Sequence, residues 1–384
     1  MFFRLDDEQQ EIQGLVRRFA QNEIVPHAER WDEESHFPRE IMRPLAEMGL
    51  MGTLVPDAYG GAQLSRLAGT LIYEQIAQAD MSTAVWLSVH NMIGGLIHRF
   101  GTEAQRSRWL PSLASGEALG AFSLSEAHAG SDAANVRCKA ERSGDGWVLN
   151  GTKFWVTSAG VADLYVVFAR TDERSGAKGI TAFVVERDTP GFSIGKLERK
   201  MGLHASPTGE LIFESCHIPD GNRLGAEGEG LRIALSSLSG GRINIGAIAT
   251  GVAQAALDVA TRYARERQAF GQAIGGFEGI QFMLADMAMR VEASRLMVYR
   301  AASVMDAGED ATQAAAMAKC FATDNAMAVT TDAVQVLGGA GYVRDWPVER
   351  YMRDVKVAQI FEGTNQIQRL VIARGLLGEA AAGR

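Results

Sequence analysis

The sequence predicts an α+β multidomain fold: an N-terminal helical domain, a middle antiparallel β domain and a C-terminal four-helix-type bundle. Three observations carry it. Apolar residues recur at three- and four-residue spacing up to about residue 118, alternating and β-branched runs take over from about 119, and helical periodicity returns after Gly228 and Gly230. The boundaries drawn from these changes are 1–118, 119–228 and 229–384. A chain of 384 residues also exceeds what a single core usually organises.

In the first region, Asp6 and Asp7 are placed to cap a helix whose Ile12, Leu15, Val16, Phe19 and Ile24 form one buried face. Further helices are expected at 39–48 behind Pro38, 68–79, 84–100 and 103–113, separated by Gly, Pro or Asp signals. Strands are expected at 146–149, 164–169, 180–185 and 211–213, all antiparallel because no helical crossover lies between them. Long helices follow at 231–266, 280–305 and 312–337, and the stripe Met283, Met287, Val291 and Leu296 is expected to fill a bundle interior. The last residues, 379–384, are expected to fray.

Composition narrows the function. Apolar residues make up 47% of the chain and charged residues 22%, values of an ordinary globular protein. The net charge of −8 is spread along the length with no dense Lys/Arg cluster, which argues against nucleic acid as a partner. Cys138, Cys216 and Cys320 are far apart and read as buried apolar residues, not as a disulfide framework or zinc site. The start lacks the pattern of a signal peptide and no long uninterrupted apolar run suggests a membrane span, so a cytoplasmic location is expected.

Generic motifs contribute little. There is no His-Glu-x-x-His, no Walker loop, no metal set and no Gly-x-Gly-x-x-Gly between a strand and a helix. Gly191-Phe192-Ser193-Ile194-Gly195 matches the Gly-x-Ser-x-Gly elbow of serine hydrolases, but Thr189-Pro190 precedes it and a charged run follows, where an elbow needs a strand and then a helix. Gly338-Gly339-Ala340-Gly341 follows a helix, where glycines commonly cap and turn the chain. Taken singly, Trp155 reads as a core residue, Arg267 as a solvated helix face and Glu362 as a surface acid.

As a constellation they read differently. Phe122-Ser123-Leu124-Ser125-Glu126, continued by Ala129-Gly130-Ser131-Asp132, together with Asn150-Gly151-Thr152-Lys153-Phe154-Trp155-Val156-Thr157, Arg267-Gln268-Ala269-Phe270-Gly271 and Ile360-Phe361-Glu362-Gly363-Thr364-Asn365-Gln366, resembles the acyl-CoA dehydrogenase family over essentially the whole chain. The resemblance implies an FAD enzyme in which Phe122, Leu124, Ser125 and Trp155 line the isoalloxazine, Thr157 donates to N5, and Ser131 lies beside the cofactor's phosphates and the acyl-CoA. Arg267 and Phe270 would reach the FAD of a neighbouring subunit, with Gln335, Gly338 and Gly339 at its adenosine end, joined by Thr364 and Gln366. A homotetramer and an electron-transfer flavoprotein as electron acceptor are implied too.

Two departures stand out. The family's proline after the glutamate of the first signature is replaced by Ala127-His128, which predicts a less rigid loop, and Glu278 stands where glutamine is usual.

The resemblance makes Glu362 the catalytic base, flanked by Phe361 in place of the family's tyrosine and by Gly363. A thioester α-proton is weakly acidic, so its removal needs a carboxylate at the α-carbon and donors for the enolate oxygen. Relatives that carry the base elsewhere have it immediately before the arginine that here is Arg242; that position is Gly241. Residues 64–67, 88–92 and 240–245 resemble isobutyryl-CoA dehydrogenases in particular, the second and third occurring nearly in butyryl-type enzymes as well. A short α-branched substrate is therefore expected, with Met92 closing the acyl pocket and Arg242, Phe361, Gly363 and Ser131 near the substrate. Butyryl- and 2-methylbutyryl-CoA stand close behind, and an oxygen-using oxidase or a helical scaffold protein on the same fold are the competing readings.

Overall fold

The computed structural model describes residues 4–378; the fraying expected at 379–384 lies outside them. The first helices are α1 (Asp7–Phe19), α2 (Val25–Glu34), α3 (Met42–Glu47), α4 (Arg66–Ala79), α5 (Met81–Phe100) and α6 (Glu103–Ala114). Asp6 caps α1 as expected: its carboxylate accepts from the Gln9 N–H at 2.8 Å, and the Gln9 side chain accepts from the Asp6 N–H. The helix does not stop at Ile24. It widens into a π turn at Ala20–Ile24 and runs on as α2, because Pro26 falls in the first turn of α2, where a missing N–H costs little. Val16 and Ile24 are buried but Leu15 is exposed, since one residue is a 100° rotation away from the Val16 stripe.

The middle region is one sheet of β1 (Gly120–Ser123), β2 (Lys139–Ser143), β3 (Gly146–Thr157), β4 (Leu164–Arg170), β5 (Ile180–Glu186), β6 (Phe192–Leu197), β7 (Thr208–Pro219) and β8 (Arg223–Leu224). Their order is β6-β7-β3-β2-β4-β5-β8, with β1 added on β4. Antiparallel pairing is not universal. β1 runs parallel to β4 over four residue pairs and β2 meets β4 in one parallel bridge. The connection from β1 to β4 is made by the β2–β3 hairpin instead of a helix, so the absence of crossover helices did not forbid parallel pairing. Ser193 lies inside β6, paired to β7 and followed by no helix, which removes the elbow geometry.

The last region contains α7 (Gly230–Glu266), the short hairpin β9 (Gln268–Ala269) and β10 (Gln272–Ala273), α8 (Glu278–Asp306), α9 (Thr312–Leu337), α10 (Gly339–Tyr342), α11 (Val348–Val355) and α12 (Asn365–Leu377). α7 packs against α4, α5, α8 and α9, so its middle is buried almost all round. Its most apolar 18-residue window has a mean hydropathy of 1.4, and 83% of that window is buried within the protein, as suits a core helix. Of the expected stripe, Met287 and Val291 are buried and Met283 packs against them, but Leu296 is exposed. It follows Val291 by five residues instead of four and so rotates off the face. Cys138, Cys216 and Cys320 are buried and free, as expected.

The three regions are tied by charged side chains. Arg353 of α11 donates to Asp32 of α2 at 2.8 Å, and Asp354 accepts from the Leu203 N–H, in the β6–β7 connection, at 2.6 Å.

Candidate active site

Between Gln359 and α12 the chain makes a tight loop in which two successive residues, Glu362 (φ +54°) and Gly363 (φ +84°), are left-handed. Glycine takes that conformation freely; for glutamate it costs on the order of 1–3 kcal/mol and persists only where the surroundings enforce it. Gln368 donates to the Glu362 and Gly363 carbonyls at 3.2 and 2.9 Å. Lys319, fully buried on α9, donates to the Gly363 carbonyl at 2.9 Å and to Asn365 Oδ1 at 2.8 Å. Asn365 in turn donates to Thr323 Oγ1 and Asp324 Oδ1, and Thr364 caps α12 by accepting from the Ile367 N–H. Every clamp acts on the backbone of the Glu362–Gly363 turn or on the chain after it. The carboxylate is left free.

That carboxylate lies over α7 at Gly241, where a Cβ would stand 2.8 Å from Oε2 and 3.0 Å from Cδ. Oε2 is buried and has no hydrogen-bond partner. Burial pushes the Glu362 carboxyl up to about 7, opposed by the positive charges of Arg242 and Lys319. Arg242 is itself only 8% exposed, with its Nε buried and unpartnered. Burial pulls the Lys319 ammonium down to about 8, with the Glu362 charge acting against that. An unpartnered carboxylate poised near neutral pH is the electrostatic description of a general base.

Two expectations follow from the charges. A base acts deprotonated, so kcat/KM should fall tenfold per pH unit below about 7 and level off above it, read from a pH profile of the reaction. Lys319→Met removes a cation that favours ionised Glu362, so the midpoint of that profile should move upward. The same change leaves the buried Asn365 Oδ1 without its donor and the Gly363 carbonyl with Gln368 alone, and should destabilise the fold by about 1–3 kcal/mol in denaturant titration.

A second set of predicted residues gathers where β1 leaves the sheet beside β3. The Phe154 N–H donates to the Ser125 carbonyl at 2.9 Å, and Lys153 donates to the Leu124 carbonyl at 3.0 Å and to Glu126 at 2.7 Å. Glu126 also accepts from the Arg137 and Cys138 N–H groups. Lys153 and Glu126 are both buried, so this pair fixes the β1 exit to β3. Phe122 packs on Phe168, Leu124 is nearly buried, Ser125 and Thr157 are half-buried and Ser131 is exposed in the following turn. The Ala127-His128 turn, expected to be less rigid without proline, is closed by reciprocal N–H to carbonyl bonds between Glu126 and Ala129 at 3.0 Å each.

Trp155 is the outstanding feature of this set. The register irregularity of β3 between Lys153 and Val156 turns it outward with φ +60°, and it is 61% exposed. A large aromatic held outside the core on strained backbone, with Ser125 bonded to its neighbour Phe154 and Thr157 two residues on, fits an isoalloxazine ring, which needs an apolar face and donors at its edge.

Arg267, Phe270, Gln335, Gly338 and Gly339 are not brought to Glu362 within one chain. Arg267 follows Gly241 by 26 positions at the end of α7, about 39 Å along the helix, and Phe270 stands 95% exposed beyond it. Gln335 follows Lys319 by 16 positions on α9, about 24 Å away, and is exposed, as are Gly338 and Gly339. Thr364 is spent on the α12 cap and Gln366 is exposed. Phe361 is half-buried against the larger core, and Met92 is buried in the smaller core cluster with Ile93 and Leu124. Glu278, at the first turn of α8, is exposed.

Sequence reasoning missed Lys319, Gln368 and the Lys153–Glu126 pair. A signal existed for Lys319, a lone charge among Ala315, Ala316, Ala318, Cys320 and Ala322 on a helix, where only a paired or functional lysine survives burial.

Comparison with known proteins identifies the family. The N-terminal, middle and C-terminal domain descriptions of the acyl-CoA dehydrogenases match residues 6–117, 121–216 and 228–377. The mitochondrial isobutyryl-CoA dehydrogenase of Dictyostelium discoideum is 45% identical, over 97% of this chain and 90% of that protein. Butyryl-CoA dehydrogenase from Megasphaera elsdenii superposes with a TM-score of 0.95 at 42% identity, covering 98% of this chain and 100% of the other. A chain from structural work on the electron transferring flavoprotein of Acidaminococcus fermentans and flavin-based electron bifurcation superposes at 0.97 with 46% identity, covering 98% and 100%.

Proposed function

Because the chain belongs to the acyl-CoA dehydrogenase family, whose members are FAD-dependent oxidoreductases, we propose that it dehydrogenates a short α-branched acyl-CoA, isobutyryl-CoA first, with Glu362 as the base. FAD, when bound, supplies the hydride acceptor at N5. Glu362 takes the α-proton on its carboxylate, whose buried Oε2 has no partner among the described residues, and Arg242 and Lys319 favour its ionised form. The Glu362 N–H, held in the left-handed turn, is offered to the thioester oxygen as charge grows there. Phe361, Gly363, Met92 and Ser131 are proposed to line the acyl-CoA path, Met92 closing its far end.

The observation that carries this reading is the buried, unpartnered carboxylate resting on Gly241. The 45% identity to the isobutyryl-CoA enzyme and the resemblance of residues 64–67 support the branched substrate. Anaerobic titration of the flavin spectrum with isobutyryl-, butyryl-, 2-methylbutyryl- and octanoyl-CoA tests it: isobutyryl-CoA should bleach the flavin band fastest and most completely. Faster bleaching by butyryl-CoA would remove the branched assignment.

For the cofactor we propose Phe122, Leu124, Ser125, Trp155 and Thr157 around the ring, Ser131 by the phosphates, and Thr364 and Gln366 toward the adenosine. Arg267, Phe270, Gln335, Gly338 and Gly339 would serve the FAD of a neighbouring subunit in a homotetramer. Their distance from Glu362 along α7 and α9 and the exposure of Phe270 support this sharing. An electron-transfer flavoprotein is the proposed electron acceptor.

A further inference from the structure

The three stretches that carry the isobutyryl-type likeness are far apart in sequence and meet at one point. The Arg66 guanidinium lies against α7 at Gly240, where a Cβ would stand 2.9 Å from Nη2 and 3.0 Å from Cζ. Its Nη1 reaches Asn244 Oδ1 only at 3.5 Å, and its Nε is buried with no partner. The Asp306 carboxylate is taken by the backbone N–H groups of Arg66 and Leu67, at 2.6 and 2.9 Å. Asn244 donates to Ser88 Oγ on α5 at 3.0 Å, which bridges α7 to α5.

Gly240 and Gly241 are adjacent on α7, their Cα atoms ~3.8 Å apart. One has Arg66 over it and the other the Glu362 carboxylate. Gly240 and Asn244 are four residues apart and share a face of α7, as Ser88 and Met92 share a face of α5. Because Gly240 and Gly241 are neighbours, an acyl chain whose α-carbon meets the Glu362 carboxylate over Gly241 lies close to the Arg66–Asn244–Ser88 bridge.

We infer that Arg66, with Asn244 and Ser88, forms a polar end wall of the acyl cleft that limits the enzyme to short acyl groups; this rests on Glu362 being the base. A guanidinium carries five N–H donors, and here they find almost no acceptor in the protein. A longer alkyl tail pressed against it offers none and strips away its remaining water, a loss that outweighs the gain from burying another methylene. A four-carbon acyl group stops short of that contact. The selectivity is thus set by a desolvation penalty and not by the packing of Met92 alone.

The test compares flavin-loaded wild type, Arg66→Leu and Arg66→Lys for kcat/KM with butyryl- and hexanoyl-CoA. Arg66→Leu should raise the hexanoyl-to-butyryl ratio about tenfold, the effect of two methylenes no longer opposed, while Arg66→Lys, which keeps the charge, should stay near the wild-type ratio. FAD content and thermal unfolding report whether each variant is folded. Should Arg66→Leu not fold, Arg66→Met, which removes the charge and keeps the length, reads the same ratio with the same expectation. A folded, flavin-loaded Arg66→Leu or Arg66→Met with an unchanged ratio overturns the wall while leaving Glu362 in its role. A wild-type flavin that no acyl-CoA bleaches overturns the base and the wall together.

Discussion

Glu362→Gln should lower turnover of short acyl-CoA by about 10³-fold or more, near the upper range for loss of a general base, while FAD stays bound at full stoichiometry. The substitution is nearly isosteric and the loop does not depend on the carboxylate. Gln368 and Lys319 hold the turn through the Glu362 and Gly363 carbonyls, and Oε2 makes no bond that an amide would break. Loss of activity would therefore report loss of basicity, with the geometry kept. Turnover with an artificial electron acceptor and the flavin absorbance of the same sample supply both readings. Turnover within tenfold of wild type would remove Glu362 from the chemistry.

The second large effect is expected from a single methyl group. Gly241→Ala places a Cβ 2.8 Å from Oε2 and 3.0 Å from Cδ of Glu362, closer than real Cβ contacts allow, so the carboxylate must move. Ordinary contact is regained by a shift of roughly half an ångström, and since a displacement of about 1 Å in a reacting group costs roughly 10²-fold, the rate should fall about tenfold. The same change should not weaken the helix, because alanine is favoured over glycine in a helix interior by about 1 kcal/mol. A rate about tenfold lower with an equal or higher unfolding temperature separates this effect from simple misfolding. A rate near wild type would mean that the carboxylate does not work from its position over Gly241.

Much of this architecture was legible because it is written in local patterns. The Asp6 cap, the apolar periods of α4, α5, α7, α8 and α9, and the continuous apolar runs of β4 and β5 are each contained in one stretch of sequence. What could not be read depends on contacts between stretches. The parallel pairing of β1 with β4 is set by where a hairpin lies in the sheet, and Leu15 and Leu296 betray the limit of reading a stripe without its phase.

The site divides in the same way. Glu362 could be named from its motif, but its left-handed turn, its perch on Gly241 and its support by Lys319 join α7, α9 and the loop before α12. Arg66 belonged to a stretch noted only for its likeness. Its lack of an acceptor is visible only when α4, α5 and α7 are packed together.

The central claim is that the Glu362 carboxylate removes the α-proton as the flavin is reduced, and its most direct test is anaerobic single-turnover bleaching with isobutyryl-CoA carrying hydrogen or deuterium at C2. Wild type should be bleached more slowly by the C2-deuterated thioester, and Glu362→Gln with bound FAD should be bleached by neither. Equal rates for the two isotopologues in wild type, together with bleaching of the Gln variant, would contradict it.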